Sequence, residues 1–104
     1  TMIFQNAEIP TTILQQLGGH ARLNAFLGVK SYAHTEDSLS FRFKARGLKG
    51  INTVKVELDP MDTYNVTFLR ANKNGAKIVA ETTDVYCDEL VDLVERTTGL
   101  YLHF

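Results

Sequence analysis

Leu39-Ser40-Phe41-Arg42-Phe43-Lys44-Ala45-Arg46 is the stretch that decides the fold. Apolar and polar residues alternate through it. In a strand, successive side chains point to opposite faces, so Leu39, Phe41, Phe43 and Ala45 share one side and Ser40, Arg42, Lys44 and Arg46 the other. One face is therefore buried and one is wet, which is the pattern of an antiparallel sheet.

The same period recurs on both sides of this stretch. Val54, Val56 and Leu58 alternate with Lys55 and Glu57, and Tyr64, Val66 and Phe68 with Asn65 and Thr67. The spacing predicts strands over Val29–Thr35, Leu39–Arg46, Asn52–Asp59 and Tyr64–Ala71, and a fifth over Lys77–Thr83. Turn residues punctuate them. Glu36-Asp37-Ser38 makes the first turn, and Asp59-Pro60-Met61-Asp62 another, with proline where a fixed φ is wanted. Asn74-Gly75 is a hairpin signal, because both residues tolerate positive φ.

Helices flank the strands. Thr12 is a cap with Gln15 three residues later, as in a capping box, and Pro10 stiffens the entry. Ile13, Leu14 and Leu17 form an apolar stripe that Gly18-Gly19 ends. His20 to Leu27 resumes it through Leu23, Phe26 and Leu27 until Gly28. Two short helices joined by Gly-Gly resemble a helix-turn-helix. The second carries only His20, Arg22 and Asn24 as polar groups, a poor set for reading bases, so packing on the sheet is the better reading. At the other end, Asp84 is placed as the N-cap of a helix that runs to Gly99. Tyr86, Leu90, Leu93, Val94 and Thr97 fall on its apolar face; Asp84, Asp88, Asp92 and Glu95 fall opposite. Leu100-Tyr101-Leu102-His103-Phe104 is too apolar for a free tail and is expected to pack on the core or add an edge strand. The expectation is one α+β domain over 1–104, with short N-terminal helices, a four- to five-stranded mainly antiparallel sheet, and a C-terminal amphipathic helix packed on one face.

Composition agrees with a single globular unit. The 104 residues are 44% hydrophobic and 22% charged, ordinary values for a chain with its own core. A chain of this size buries roughly two thirds of its unfolded surface. A net charge of −1 argues for neither nucleic acid nor membrane in bulk. No apolar run approaches the roughly 18 residues of a membrane span. The start, Thr1-Met2-Ile3-Phe4-Gln5, lacks the pattern of a signal peptide. The lone Cys87 cannot make an internal disulfide, which fits a reducing compartment.

Charge distribution is more informative than net charge. Residues 1–56 are net positive and residues 57–104 net negative. Arg42, Lys44, Arg46, Lys49 and Lys55 make a basic sheet face that can hold a nucleic-acid backbone. Single-strand binders add exposed aromatics, whereas Phe41 and Phe43 sit on the other face. A solvated face that discourages edge aggregation explains the same residues. Gly47-Leu48-Lys49-Gly50 has the form of a backbone-clamping Gly-x-x-Gly loop, but joins two strands rather than two helices and reads as a turn. Asp84, Asp88, Asp92 and Glu95 recur at spacings that line one helix stripe, a candidate dock for a basic partner and equally a wet surface.

Nothing here has catalytic or metal-ligand spacing. Glu57, Asp59 and Asp62 match no calcium loop. His20, His34 and His103 are scattered, and Cys87 reads as a small core residue. No cofactor is implied, and the chain reads as non-enzymatic.

Thr12-Ile13-Leu14-Gln15-Gln16-Leu17-Gly18-Gly19, Ser38-Leu39-Ser40-Phe41, Lys49-Gly50-Ile51-Asn52-Thr53-Val54-Lys55-Val56, Met61-Asp62-Thr63-Tyr64 and Thr98-Gly99-Leu100-Tyr101-Leu102 span nearly the whole chain. In these segments it resembles a set of small uncharacterised proteins of bacteriophages and other mobile elements. The resemblance implies a cytoplasmic accessory protein in a bacterial host cell. Its partner would be a protein or protein complex of the host or phage, such as a host defence or nucleic-acid-processing complex that it inhibits. The alternative is a single-stranded nucleic-acid-binding protein that uses the basic sheet face.

Overall fold

A computed structural model of the chain describes residues 8–102. Its elements run α1 (Glu8–Gln16), α2 (His20–Leu27), β1 (Val29–His34), β2 (Ser38–Phe43), β3 (Thr53–Leu58), β4 (Tyr64–Asn72), β5 (Gly75–Val85) and α3 (Leu90–Thr98). The strands form one sheet in the order β1-β2-β3-β4-β5, and every neighbouring pair is antiparallel. Short loops between alternating segments favour such a meander.

The register carries the alternation across the sheet. Leu39 faces Val56 and Phe41 faces Val54; Val54 in turn faces Phe68, and Val56 faces Val66. These residues and Phe43 are 1% exposed or less, so the expected inner face is the observed one. Helices cover that face. Ile13, Leu17, Leu23, Leu90 and Val94 complete the core, and α1 lies over β2. Truncating a ring such as Phe68 would cost about 3–5 kcal/mol through lost burial and a cavity. The outer face carries Ser40, Arg42, Thr53, Lys55, Glu57, Asn65, Thr67 and Leu69.

Several local expectations are corrected. Thr12 lies inside α1, and Pro10 is buried within the first turn, where a missing N–H breaks no helical bond. β2 ends at Phe43, because Lys44 N and Ala45 N donate to Gly28 O and Leu27 O at the end of α2. β5 is longer than its alternation suggested, for it shifts register at two places. One of these shifts encloses Asp84, which has φ 57 and belongs to the strand, so it does not cap the helix. The helical run opens instead as a 3₁₀ turn, Cys87–Glu89, where Glu89 Oε1 accepts from Tyr86 N at 2.9 Å. Tyr86 and Cys87 are exposed, while Thr98 takes the buried place expected of Thr97.

Turn chemistry is as read at Asp59–Asp62, where Asp62 N donates to Asp59 O and Asp62 adopts φ 66. In the β4–β5 hairpin the turn pair is Lys73-Asn74, between the paired Asn72 and Gly75. Asn74 N donates to Asn72 Oδ1 at 2.8 Å, and only Gly75 has positive φ. After Gly99 the chain forms no strand up to Leu102: Leu102 is fully buried, its N–H held by Glu95 Oε2 at 2.7 Å. His103 and Phe104 lie outside the described residues, as do Thr1 to Gln5.

Candidate nucleic-acid interface

A meander brings alternate connections to the same end of the sheet. One end collects the start of β1, the β2–β3 connection and the β4–β5 hairpin. These segments carry Lys30, Lys44, Arg46, Lys49, Arg70, Lys73 and Lys77, most of the chain's 11 Lys and Arg. The stretches 38–56 and 63–80, which supply most of this end, contain no Asp or Glu. The opposite end gathers Glu36, Asp37, Asp59, Asp62, Asp84 and Asp88 from the β1–β2 and β3–β4 turns and the exit of β5. Charge is thus sorted along the strand direction as well as between the N- and C-terminal halves.

The residues expected to form a basic face divide into two groups. Arg42 and Lys55 share the outer face on neighbouring strands, opposite Thr53 and Ser40 respectively. Glu57 and Glu81 occupy the same face, opposite Asn65 and Thr67. That face is therefore mixed in sign. Arg42 is also engaged: its Nη2 donates to Ala71 O at 3.5 Å, and its buried Nε has no partner. Lys44, Arg46 and Lys49 lie beyond the end of β2, exposed. The stem of Lys44 lies alongside Gly28.

Gly47-Leu48-Lys49-Gly50 is a 3₁₀ turn, and its glycines have packing reasons. A Cβ at Gly47 would sit 3.1 Å from Thr98 O, at the end of α3. A Cβ at Gly50 would sit 2.8 Å from Arg70 Cδ. The loop is wedged between helix and hairpin, and Lys49 is held there at φ 56, a conformation that costs a non-glycine residue about 1 kcal/mol or more.

Arg70, Lys73 and Lys77 escaped the sequence reading because they lie in the acidic half of the chain. The acid-free stretches were the signal that could have found them. Arg46, Lys49, Arg70, Lys73 and Lys77 form no ion pair with a described carboxylate. Exposed apolar side chains border this end: Leu48 is 57% exposed, Ile78 54% and Tyr101 73%. Leu48 touches the Gly99 position, from which the chain leads to Tyr101.

The acidic stripe is dispersed. Asp84 is in β5, and Asp88 is in the 3₁₀ turn. Asp92 is paired with Arg96 at 2.9 Å, so Arg96 neutralises part of the helix face. Glu95 is turned to the Leu102 amide. What survives is an acidic end of the sheet that includes Asp84 and Asp88.

Two phenols have displaced ionisation. Burial raises Tyr32, whose Oη shares a 2.6 Å hydrogen bond with His20 Nδ1. Burial and the neighbouring Cys87 raise Tyr64, against a hydrogen bond to Gln16 Oε1 that lowers it. Among the described residues no group of three or more His, Cys, Asp or Glu side chains is placed to hold a metal ion, and no helix is long and apolar enough to cross a membrane. No protein-family model matches the chain, and neither a curated protein nor a solved structure matches it.

Proposed function

We propose that the protein is a non-enzymatic binding protein that holds the phosphate backbone of single-stranded nucleic acid on the basic end of its sheet. The observation that carries this reading is the convergence of two acid-free segments, the β2–β3 connection and the β4–β5 hairpin, at one end. Unpaired, exposed Lys and Arg are what a polyphosphate neutralises, with release of its counterions. Exposed Leu48, Ile78 and Tyr101 offer apolar and aromatic surface to unstacked bases, which a duplex would not present. In the setting suggested by the resemblance to phage and mobile-element proteins, the ligand is host or phage nucleic acid during processing.

Anisotropy of labelled oligothymidylate and oligouridylate tests this. If about four phosphates are neutralised, log affinity falls with log salt at a slope of roughly −2.8, or about 50-fold between about 50 and 200 mM. Arg46→Gln, Lys49→Gln and Lys73→Gln combined should flatten that slope without unfolding the protein, since all three side chains are exposed. Absence of binding at the lowest salt would refute the reading.

The acidic end favours a second reading. Asp37, Asp59, Asp62, Asp84 and Asp88 present negative charge to a basic protein surface, as a host or phage complex would supply. There, replacing Asp84 and Asp88 with Asn should slow association with such a partner and leave oligonucleotide affinity unreduced.

A further inference from the structure

The β4–β5 hairpin contains a pairing that ordinary sheets avoid. Arg70 and Lys77 are directly opposite each other in the ladder. Opposed residues in an antiparallel pair project to the same side with Cβ atoms about 5 Å apart, and like charges so placed repel. No described carboxylate forms an ion pair with either, and β4 and the first half of β5 carry none. The two cations border an open cleft of about 280 Å³, lined also by Asn72, Asn74, Gly75 and Ala76.

The cleft is built to donate. Arg70 brings a planar fork of N–H groups and Lys77 a compact ammonium. Asn72 Oδ1 is already used as the acceptor of Asn74 N–H, which leaves its amide nitrogen as a donor. The stem of Arg70 rests in the space left by Gly50, where a Cβ would come within 2.8 Å of Cδ. Its guanidinium is therefore tethered on one side of the cleft. Two positive charges and several donors around one space suit the tetrahedrally arranged acceptor oxygens of a phosphate group better than a single planar carboxylate.

We propose that Arg70 and Lys77 form a clamp for one phosphate group, with Asn72 as an auxiliary donor. The clamp deepens the nucleic-acid reading and rests on it only for the source of the phosphate, which is a strand backbone rather than a free phosphate. Amide NMR spectra of the whole protein, titrated with inorganic phosphate at low ionic strength and with chloride as control, test the clamp itself. Saturable shifts confined to residues 70–77 are expected, with Lys77→Gln weakening the apparent affinity about fivefold or more. Arg96→Gln, at an exposed cation already paired with Asp92 and outside the basic end, should change it little. Shifts that never saturate, that chloride reproduces, or that Lys77→Gln leaves unchanged would overturn the clamp. Oligothymidylate binding that bypasses residues 70–77 and survives Lys77→Gln would also overturn it while leaving the basic-end reading intact. Saturable phosphate binding at the hairpin without any oligonucleotide binding would support the clamp, assign it to free phosphate, and defeat the nucleic-acid reading.

Discussion

Replacing Asn52 with alanine should unpin the basic hairpin from the sheet. β3 begins at Thr53, yet β4 runs on to Asn72, so Ala71 has no β3 residue beside it. The Asn52 carboxamide takes the place of the missing rung. Its Nδ2 donates to Ala71 O at 2.9 Å and its Oδ1 accepts from Ala71 N at 2.8 Å. The Asn52 backbone is fixed as well, through Leu69 O and Phe43 N. Removing the carboxamide leaves the N–H and C=O of Ala71 half-buried, with only the 3.5 Å contact from Arg42. Each hydrogen bond is worth about 0.5–1.5 kcal/mol net, so the loss should be about 1–3 kcal/mol. For a domain of this size, about 2 kcal/mol lowers Tm by roughly 8–16 °C. Asn52→Asp keeps one bond, turns the other oxygen toward the Ala71 carbonyl, and should fall between. Urea unfolding gives the global loss, and hydrogen exchange at the Ala71 amide locates it. A loss under about 0.5 kcal/mol with unchanged exchange at Ala71 would show that the side chain is not a rung of the ladder.

Three further outcomes follow from single sites. Tyr32 and Tyr64 should ionise above the usual tyrosine value of about 10. The folded chain then keeps these protons longer than the unfolded one, so their contribution is full below about pH 10 and lost as pH rises through the folded values; phenolate absorbance and alkaline unfolding check it, with Tyr64→Phe reducing the alkaline loss. Asp84→Gly should raise stability by about 0.5–1 kcal/mol by relieving positive φ in a strand, whereas an N-cap at that position would lose a few tenths; thermal unfolding gives the sign. Cys87 should react with a thiol reagent in the folded protein at nearly the rate of the unfolded chain, and strong protection would contradict its exposed place in the 3₁₀ turn.

Alternation made the sheet legible. Through β2, β3 and the first part of β4 each inner residue is apolar and most of their neighbours are polar, so the inner face could be read from period alone. β5 was harder, because its register shifts break the period and fold Asp84 into a strand where an acid before an apolar helix looks like a cap. Cys87 and Tyr86 were misplaced for the same reason: the α-helix starts only at Leu90, and a 3₁₀ turn rotates the preceding residues off its apolar face. The basic site was half legible. Arg46 and Lys49 were named, but Arg70, Lys73 and Lys77 reach them only through the meander, which carries an otherwise acidic half of the chain back to the basic end.

Gathering like charges at the two ends of a sheet costs stability, and part of the helical layer offsets it. α3 starts beside Asp84 and Asp88 at the acidic end and finishes against Gly47 in the basic loop. α2 likewise finishes at Gly28, against the stem of Lys44. A helix is positive at its N-terminus and negative at its C-terminus, so α3 meets opposite charge at both ends and α2 at its last turn. Such contacts are worth about 0.3–1 kcal/mol each at exposed sites, comparable to the repulsion of a few surface pairs. α1 runs the other way, with Gln16 bonded to Tyr64 near the acidic end, so its negative end works against this offset. The offset acts on the ends as a whole. It does not separate Arg70 from Lys77, whose opposition lies within the ladder itself. That pair is the part of the charge pattern that helix orientation leaves unrelieved, and an anion between the two side chains is what would relieve it.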